Sequence, residues 1–315
     1  MRKALIAIEI IAIVLLAILT FSNIGAVKPI FFTLNSKNFT HNAASKYSGF
    51  IEPIASSTIS YSPSWNSEVV SDTINADSLN ERFDYTAPKP ADTFRIALLG
   101  DSFAFGLYMN TPQNFSELLE DALNKANSCP VIKKIELINF GVPSYDLQYE
   151  VERYRLRATK YNPDLVLWFT EAGDLTQVNE LLQKDSAEYV ATDSNIKDSW
   201  DKVHSEYAAQ ISETDAIQQE ISTVPEFNAL YKGPLFIFSL PPLFGAPDSA
   251  VVKSLTGAFA SRPQTFIDLT MAAPWTGQDQ VQPSDAHPNQ TGSVKLEEAL
   301  LAYIQSHNLI PCAAK

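Results

Sequence analysis

The chain has 315 residues, of which 45% are hydrophobic, so it can bury a core of the size that a folded domain needs. Its 36 acidic and 23 basic side chains give a formal charge of −13, which repels phosphate backbones and argues against nucleic acid as a partner. The two cysteines, Cys129 and Cys312, lie outside any CxxC spacing. They indicate neither a zinc site nor a thioredoxin-like motif, and no metal or cofactor is predicted.

The N-terminus predicts a membrane segment. Arg2 and Lys3 precede an apolar run over 4–21, which as a helix would nearly cross the hydrocarbon core at about 1.5 Å per residue. The positive flank should stay in the cytoplasm, which places the remainder of this single-pass protein in the periplasm or outside the cell. Residues 1–26 are therefore an uncleaved anchor or a signal peptide; the best cleavage site, at 24–26, has Ile24 where a small residue is preferred.

Two further regions follow. Residues 27–92 are rich in Ser, Asn, Thr and Pro with little periodicity, which predicts a stalk that becomes an irregular cap, with its aromatic side chains packed on the domain. Residues 93–315 are predicted to form the main domain. Five short apolar runs typical of strands buried on both faces lie within it, at 94–99, 135–140, 165–169, 235–240 and 266–269.

Helical patterns alternate with these runs. Apolar residues at helical spacing predict an amphipathic helix over 115–126, a second helix over 147–161, and a last one over 288–306 with Pro288 at its first position. Alternating strands and helices favour parallel pairing, so the predicted fold is a three-layer α/β/α domain. A long polar insertion at 175–233 is helix-like over 198–219. It is predicted to be a lid, a binding surface or a partner site, or else a solvated helical hairpin on one side of the sheet.

The candidate chemistry lies at the ends of the first and last strands. Ser102 follows the first run, at the strand end where ligands of open parallel sheets bind. A serine nucleophile needs a base that a third group orients, and His287 follows the fifth run with Asp285 two residues earlier. A Gly-Asp-Ser turn and an Asp-x-His-Pro helix cap are each common structural features. Their joint placement favours a catalytic triad.

These segments resemble the SGNH/GDSL hydrolase superfamily. The stretch from Phe94 to Gly106 is similar to its first block, 285–289 to its last, and 139–143 to the block that contains the family glycine. The resemblance implies a flavodoxin-like sheet of order 2-1-3-4-5, with the N–H groups of Ser102 and Gly141 as oxyanion donors. Gly173 stands where the family has an oxyanion asparagine, and loss of one such donor typically costs about 10²–10³ in turnover.

Thr170, Asn179 or the Gly173 N–H could replace the missing asparagine. The resemblance implies a serine ester hydrolase or O-acyltransferase that forms an acyl-serine intermediate on a small acyl ester or an acylated glycan of the cell envelope. The alternative from another class is a catalytically weak glycan-binding or envelope-assembly protein. Because the first and last helices of a flavodoxin-like sheet can share a face, Cys129 and Cys312 are predicted to form a disulfide.

Overall fold

The computed structural model describes residues 37–63, 65–182, 205–241, 243, 249–271, 275–283 and 285–312. The described chain begins with two antiparallel hairpins. Strand β1 (Phe39–His41) pairs with β2 (Ile51–Pro53), and β3 (Ser57–Tyr61) pairs with β4 (Val70–Ile74). The sequence predicted irregular structure here. β1 and β2 have only three residues each, and in β4 the buried central position is the polar Asp72, so the alternation of apolar and polar residues by which a strand is recognised is missing.

A five-stranded parallel sheet follows, and all five apolar runs are strands whose ends differ from the prediction by at most two residues. The strands are β5 (Thr93–Leu99), β6 (Lys134–Asn139), β7 (Leu165–Phe169), β8 (Leu235–Phe238) and β9 (Thr265–Asp268). Their order is β6-β5-β7-β8-β9, which confirms the predicted order 2-1-3-4-5. Every residue of β5, β7 and β8 is buried, as strands covered on both faces require.

Helices cover both faces of this sheet, which confirms the three-layer prediction. They are α1 (Ser102–Phe105), α2 (Phe115–Ala126), α3 (Leu147–Arg153), α4 (Ala172–Thr176), α5 (Glu213–Ile221), α6 (Val224–Leu230), α7 (Ala250–Phe259) and α8 (Gln290–Ser306). Helices α2 and α8 pack on one face through side chains such as Leu119 and Leu300. Helices α3, α5, α6 and α7 pack on the other face, around Trp168 and Phe227.

Two helix boundaries differ from the sequence prediction. Pro288 does not begin the last helix, because it ends a short strand, β11 (Asp285–Pro288), which pairs with β10 (Gln280–Gln282). Asn289 is the N-cap instead, and its side chain accepts the Gly292 N–H. The segment over 147–161 is helical throughout, but it continues from α3 through a π turn at Tyr154–Ala158 and a 3₁₀ turn at Thr159–Tyr161.

The insertion contributes part of one helical layer. Ile217, Val224 and Phe227 of α5 and α6 are buried against the sheet, so this part is neither a lid nor fully solvated. The predicted helix over 198–219 is interrupted at 211–212, where the Ser212 side chain accepts the Asp215 N–H and begins α5. Residues 183–204 lie outside the described residues.

The first hairpin is fixed to the main domain by a buried ion pair. Glu52 of β2 binds the guanidinium groups of Arg153 and Arg157, and Arg153 also donates to the Phe140 and Ser78 carbonyl oxygens. Burial by itself raises the pKa of Glu52, but the arginine charges outweigh it and lower this pKa to about 2. The described part of 27–92 is therefore tightly packed on the domain.

The N-terminal segment also covers the edge strand β6. The Glu81 carboxylate accepts the Asn139 N–H at 2.5 Å, and Glu120 of α2 accepts the Leu137 N–H at 2.7 Å. The Tyr85 hydroxyl lies 3.1 Å from each of these two carboxyl groups. Two backbone donors that an edge strand would otherwise expose are thus satisfied by side chains.

The predicted disulfide is present. Cys129 follows α2 and Cys312 follows α8, with 5.4 Å between their Cα atoms. The two helices are in contact on one face of the sheet, as the prediction required. The cross-link fixes the C-terminal end of the described chain to the layer that carries α2.

Within the described residues, no helix is both long enough and apolar enough to cross a bilayer. The predicted membrane segment at 4–21, and the anchor or signal peptide over 1–26, lie outside these residues and stay predictions.

Candidate active site

Ser102 stands at a sharp turn between β5 and α1. Gly100 has φ +146°, and a Cβ there would lie 2.7 Å from the Ala104 Cβ and 2.9 Å from the Phe169 carbonyl oxygen, so the turn requires glycine. Asp101 caps α1 by accepting the Phe103 N–H at 2.8 Å. The chain therefore presents Ser102 at the carboxyl end of a central strand.

His287 and Asp285 reach this serine from β11. The Ser102 hydroxyl lies 2.7 Å from His287 Nε2, and His287 Nδ1 lies 2.5 Å from Asp285 Oδ1. Residues i and i+2 of an extended strand project to the same side, which explains the second contact. The structure thus brings the three predicted side chains into one hydrogen-bonded series. The side chains of His287 and Asp285 are 15% and 13% exposed, so a substrate can approach them.

The electrostatics of the pair are those of an acid that orients a base. Burial by itself raises the pKa of Asp285, but the hydrogen bond and charge of His287 outweigh it, so this pKa lies below its ordinary value. Asp285 is therefore ionised at neutral pH and accepts the Nδ1–H of His287. This tautomer leaves Nε2 free to accept the Ser102 proton.

Aromatic rings hold the imidazole in place. The Phe103 ring stacks on His287 with centroids 4.1 Å apart, and the Tyr108 ring meets it edge-on at 5.4 Å. Of the other histidines, His41 binds the Phe50 carbonyl oxygen, His307 lies exposed beside Tyr303, and His204 is outside the described residues. The prediction selected His287 alone, but no pattern in the sequence pointed to Phe103 or Tyr108.

The two glycines expected to act as oxyanion donors do not fit that role. The Gly141 N–H donates to Asn139 Oδ1 at 2.9 Å, and the Gly173 N–H donates to the Glu171 carboxyl group. Gly141 is also too tightly packed to carry a side chain, because a Cβ there would lie 2.5 Å from the Phe105 backbone nitrogen. Both amides are already satisfied within the protein.

The two side chains considered as replacements for the missing asparagine differ from each other. Asn179 Nδ2 donates to the Ser144 carbonyl oxygen, so this donor is already used within the protein. Thr170 follows β7, is fully buried, and its hydroxyl oxygen has no hydrogen-bond partner among the described residues. Of the two side chains, Thr170 is thus the one with an unsatisfied hydrogen-bonding group.

A cluster of three carboxyl groups, of which Asp101 and Asp174 are buried and Glu171 is half-buried, lies next to Ser102, and sequence reasoning missed it. The candidate ligand atoms of Asp101, Glu171 and Asp174 all lie within 4.8 Å of one another. Burial, opposed by the charge of His287, raises the pKa of Asp101 to about 6. Burial and the neighbouring Asp101 raise the pKa of Glu171 to about 8, and burial and Glu150 raise that of Asp174. By ligand type and spacing the three groups could hold a hard cation, or they can share protons.

Comparisons with known proteins give similar structures at low sequence identity. The chain is similar to the psychrotrophic esterase EstA from Pseudoalteromonas sp., at 16% identity and a TM-score of 0.44, over 68% of this chain and 98% of that one. It is similar to a protein from Desulfitobacterium hafniense described as lipolytic and of the G-D-S-L family, at 17% identity, a TM-score of 0.39, and 66% and 98% coverage. The first of these proteins is an esterase by name.

A third similar structure is a variant of Axe2, an acetylxylan esterase from Geobacillus stearothermophilus, at 14% identity and a TM-score of 0.41, over 67% of this chain and 94% of that one. No family model matches the chain, and no curated protein matches it. No residue role is taken from these structures.

Proposed function

We propose that the protein is a serine ester hydrolase that forms an acyl-serine intermediate. The observation that carries this proposal is the hydrogen-bonded series from Ser102 through His287 to Asp285. Both distances lie within or just below the range expected for a nucleophile, its base and the group that orients the base. Ser102 and His287 are both partly exposed, so an ester can reach the serine hydroxyl and its base.

The reaction follows from this geometry. As the Ser102 oxygen attacks the ester carbonyl carbon, His287 Nε2 takes the serine proton, and Asp285 stabilises the imidazolium that forms. When the tetrahedral intermediate collapses, His287 returns the proton to the alcohol oxygen, which leaves as the free alcohol. Water then attacks the acyl-serine with His287 as base, releasing the carboxylic acid and restoring Ser102. The amides of Gly141 and Gly173 are occupied, so the proposed oxyanion donor is the Ser102 N–H.

For the substrate, we propose an acylated carbohydrate, and the acyl group passes either to water or to an acceptor hydroxyl. Support comes from neighbours that include an acetylxylan esterase and an esterase described as active on acetylated mannans. We also propose that the domain is tethered to the membrane and lies outside the cytoplasm. The apolar run at 4–21 and the Cys129–Cys312 disulfide support this location, because disulfides persist in oxidising compartments.

The occupied glycine amides favour a second candidate, a glycan-binding protein of low catalytic power. An active site with one oxyanion donor fewer is typically about 10²–10³ slower. The intact series of Ser102, His287 and Asp285 weighs against this candidate, because binding alone has no need for it.

Fluorophosphonate labelling and acetate release test the proposal. Ser102→Ala and His287→Ala should lower turnover of acetyl esters by about 10⁶, and Asp285→Asn by about 10⁴, as in other triads. Ser102→Ala should also abolish labelling. His307→Ala is the matched control, since His307 is exposed and stacks on Tyr303 on the last helix. A wild-type protein that is neither labelled nor active on any ester would refute the hydrolase and support the binding protein.

A further inference from the structure

The second hairpin of the N-terminal segment reaches the proposed active site. Strand β4 is fixed beside the loop that follows α1, because the Ser71 N–H donates to Asn110 Oδ1 at 2.9 Å and the Thr73 N–H donates to Thr111 Oγ1 at 2.7 Å. The Tyr61 hydroxyl of β3 accepts the Tyr108 N–H at 2.8 Å. The connection between β3 and β4 is therefore held close to the same loop.

Tyr108 links this hairpin to the triad. Its φ of +72° lies in the left-handed region, which a bulky residue adopts only where the surroundings enforce it. Its ring meets His287 edge-on at 5.4 Å and also meets Trp65, from the connection between β3 and β4, at 4.9 Å and 73°. Trp65 is half-buried, so part of this residue is exposed next to Tyr108.

The position beside His287 indicates which part of an ester these rings contact. In the proposed reaction His287 returns a proton to the leaving oxygen, so the alcohol portion of the substrate must lie next to the imidazole. One face of the imidazole is covered by the buried Phe103, and the Tyr108 edge closes another side. Trp65 in turn contacts the Tyr108 ring. An alcohol portion larger than a few atoms would therefore extend onto Trp65.

The chemistry around Trp65 suits a neutral ring that carries hydroxyl groups. The open indole surface offers apolar contact, and the neighbouring Asn66 and Ser67 are exposed polar residues that can bind hydroxyls. Glu68 is also exposed in this connection, and the whole chain carries a formal charge of −13, so an anionic alcohol would be repelled.

We propose that Trp65 and Tyr108 form a binding surface for a sugar ring in the alcohol portion of the substrate. This inference rests on the proposed function, because it uses the step in which His287 protonates the leaving alcohol. It gives the N-terminal hairpin a part in substrate selection, with Trp65 and Tyr108 as the residues that contact the sugar beside the imidazole.

The test compares esters that share an acyl group and differ in the alcohol. Acetate release is measured from acetylated xylo- and manno-oligosaccharides and from glyceryl triacetate, which has no ring. Trp65→Ala should lower kcat/KM for at least one sugar ester about 5-fold relative to glyceryl triacetate, chiefly through KM, as the energies of aromatic contacts imply. Trp65→Phe, which retains a ring, should restore most of this preference. Phe83→Ala is the control, because Phe83 is an exposed aromatic residue of the same segment that packs on Arg82.

A binding measurement separates this inference from the proposed function. Calorimetry on the Ser102→Ala protein with the same oligosaccharides needs no turnover, and adding Trp65→Ala should weaken their affinity about 5-fold. If the wild-type protein hydrolyses no ester, and Trp65→Ala still weakens oligosaccharide binding, the proposed hydrolase function is wrong and the proposed sugar surface stands. Equal losses on sugar esters and glyceryl triacetate, or unchanged affinity for every oligosaccharide, would overturn the sugar surface.

Discussion

The buried carboxyl group of Asp101 should make the stability of the protein fall as the pH rises. Burial, partly offset by His287, raises its pKa to about 6 from the ordinary 3.8. A group whose pKa is higher in the folded state stabilises the fold while it is protonated, below about pH 4, and this stabilisation is lost as the pH rises through about 6. The difference between the two pKa values corresponds to about 3 kcal/mol.

Asp101→Asn removes this ionisation and keeps a side-chain oxygen that can accept the Phe103 N–H. Urea unfolding should therefore show the variant to be more stable than the wild type by up to about 3 kcal/mol at pH 8, with little difference near pH 4. Asp285→Asn should instead lower the free energy of unfolding at high pH. The pKa of Asp285 is lowered in the folded state, so its carboxylate stabilises the fold at high pH. An Asp101→Asn gain that does not grow between pH 4 and pH 8 would refute the reasoning.

Three further predictions concern the scaffold. Cys129→Ser should lower the free energy of unfolding by up to about 5 kcal/mol, since its bond to Cys312 closes a loop of 183 residues, and reductant should change the melting temperature of the wild type but not of the variant. Glu52→Gln should cost about 3–5 kcal/mol in urea unfolding, because it leaves the buried Arg153 without its ion pair. Gly141→Ala should lower esterase activity at least about 10-fold and the free energy of unfolding by about 1–3 kcal/mol, because the added methyl group displaces the backbone of α1. The first prediction is contradicted if reductant leaves the wild-type melting temperature unaltered, and the second if Glu52→Gln leaves the urea midpoint unaltered. The third is contradicted if Gly141→Ala leaves the esterase activity unaltered.

The central sheet could be predicted from the sequence because its strands are buried on both faces. Such strands appear as uninterrupted apolar runs, and the run at 165–169 coincides with β7 residue for residue. Ser102 and His287 could be predicted because each follows a recognisable strand or motif. Asp285 could be predicted because its contact with His287 is local along the chain.

Features that depend on distant contacts could not be predicted. The carboxyl groups of Asp101 and Asp174 meet although 73 positions separate them, and neither belongs to a pattern. The occupation of the Gly141 N–H depends on the rotamer of Asn139, which a motif does not specify. Trp65 looked like one aromatic residue among many in a polar segment, and only the packing of β3 and β4 places it near the triad.

Because the N-terminal segment covers strand β6, the choice of where a shorter fragment of the chain begins affects its stability. A fragment that begins at residue 93 follows the boundary suggested by composition, yet it lacks Glu81 and Tyr85. Such a fragment would leave the Asn139 N–H exposed on an open sheet edge, which invites pairing between copies and aggregation. It would also lack Glu52, which would leave the buried Arg153 without its ion pair. The described N-terminal segment and the α/β domain therefore depend on each other for folding, and a boundary drawn at residue 93 would divide one structural unit.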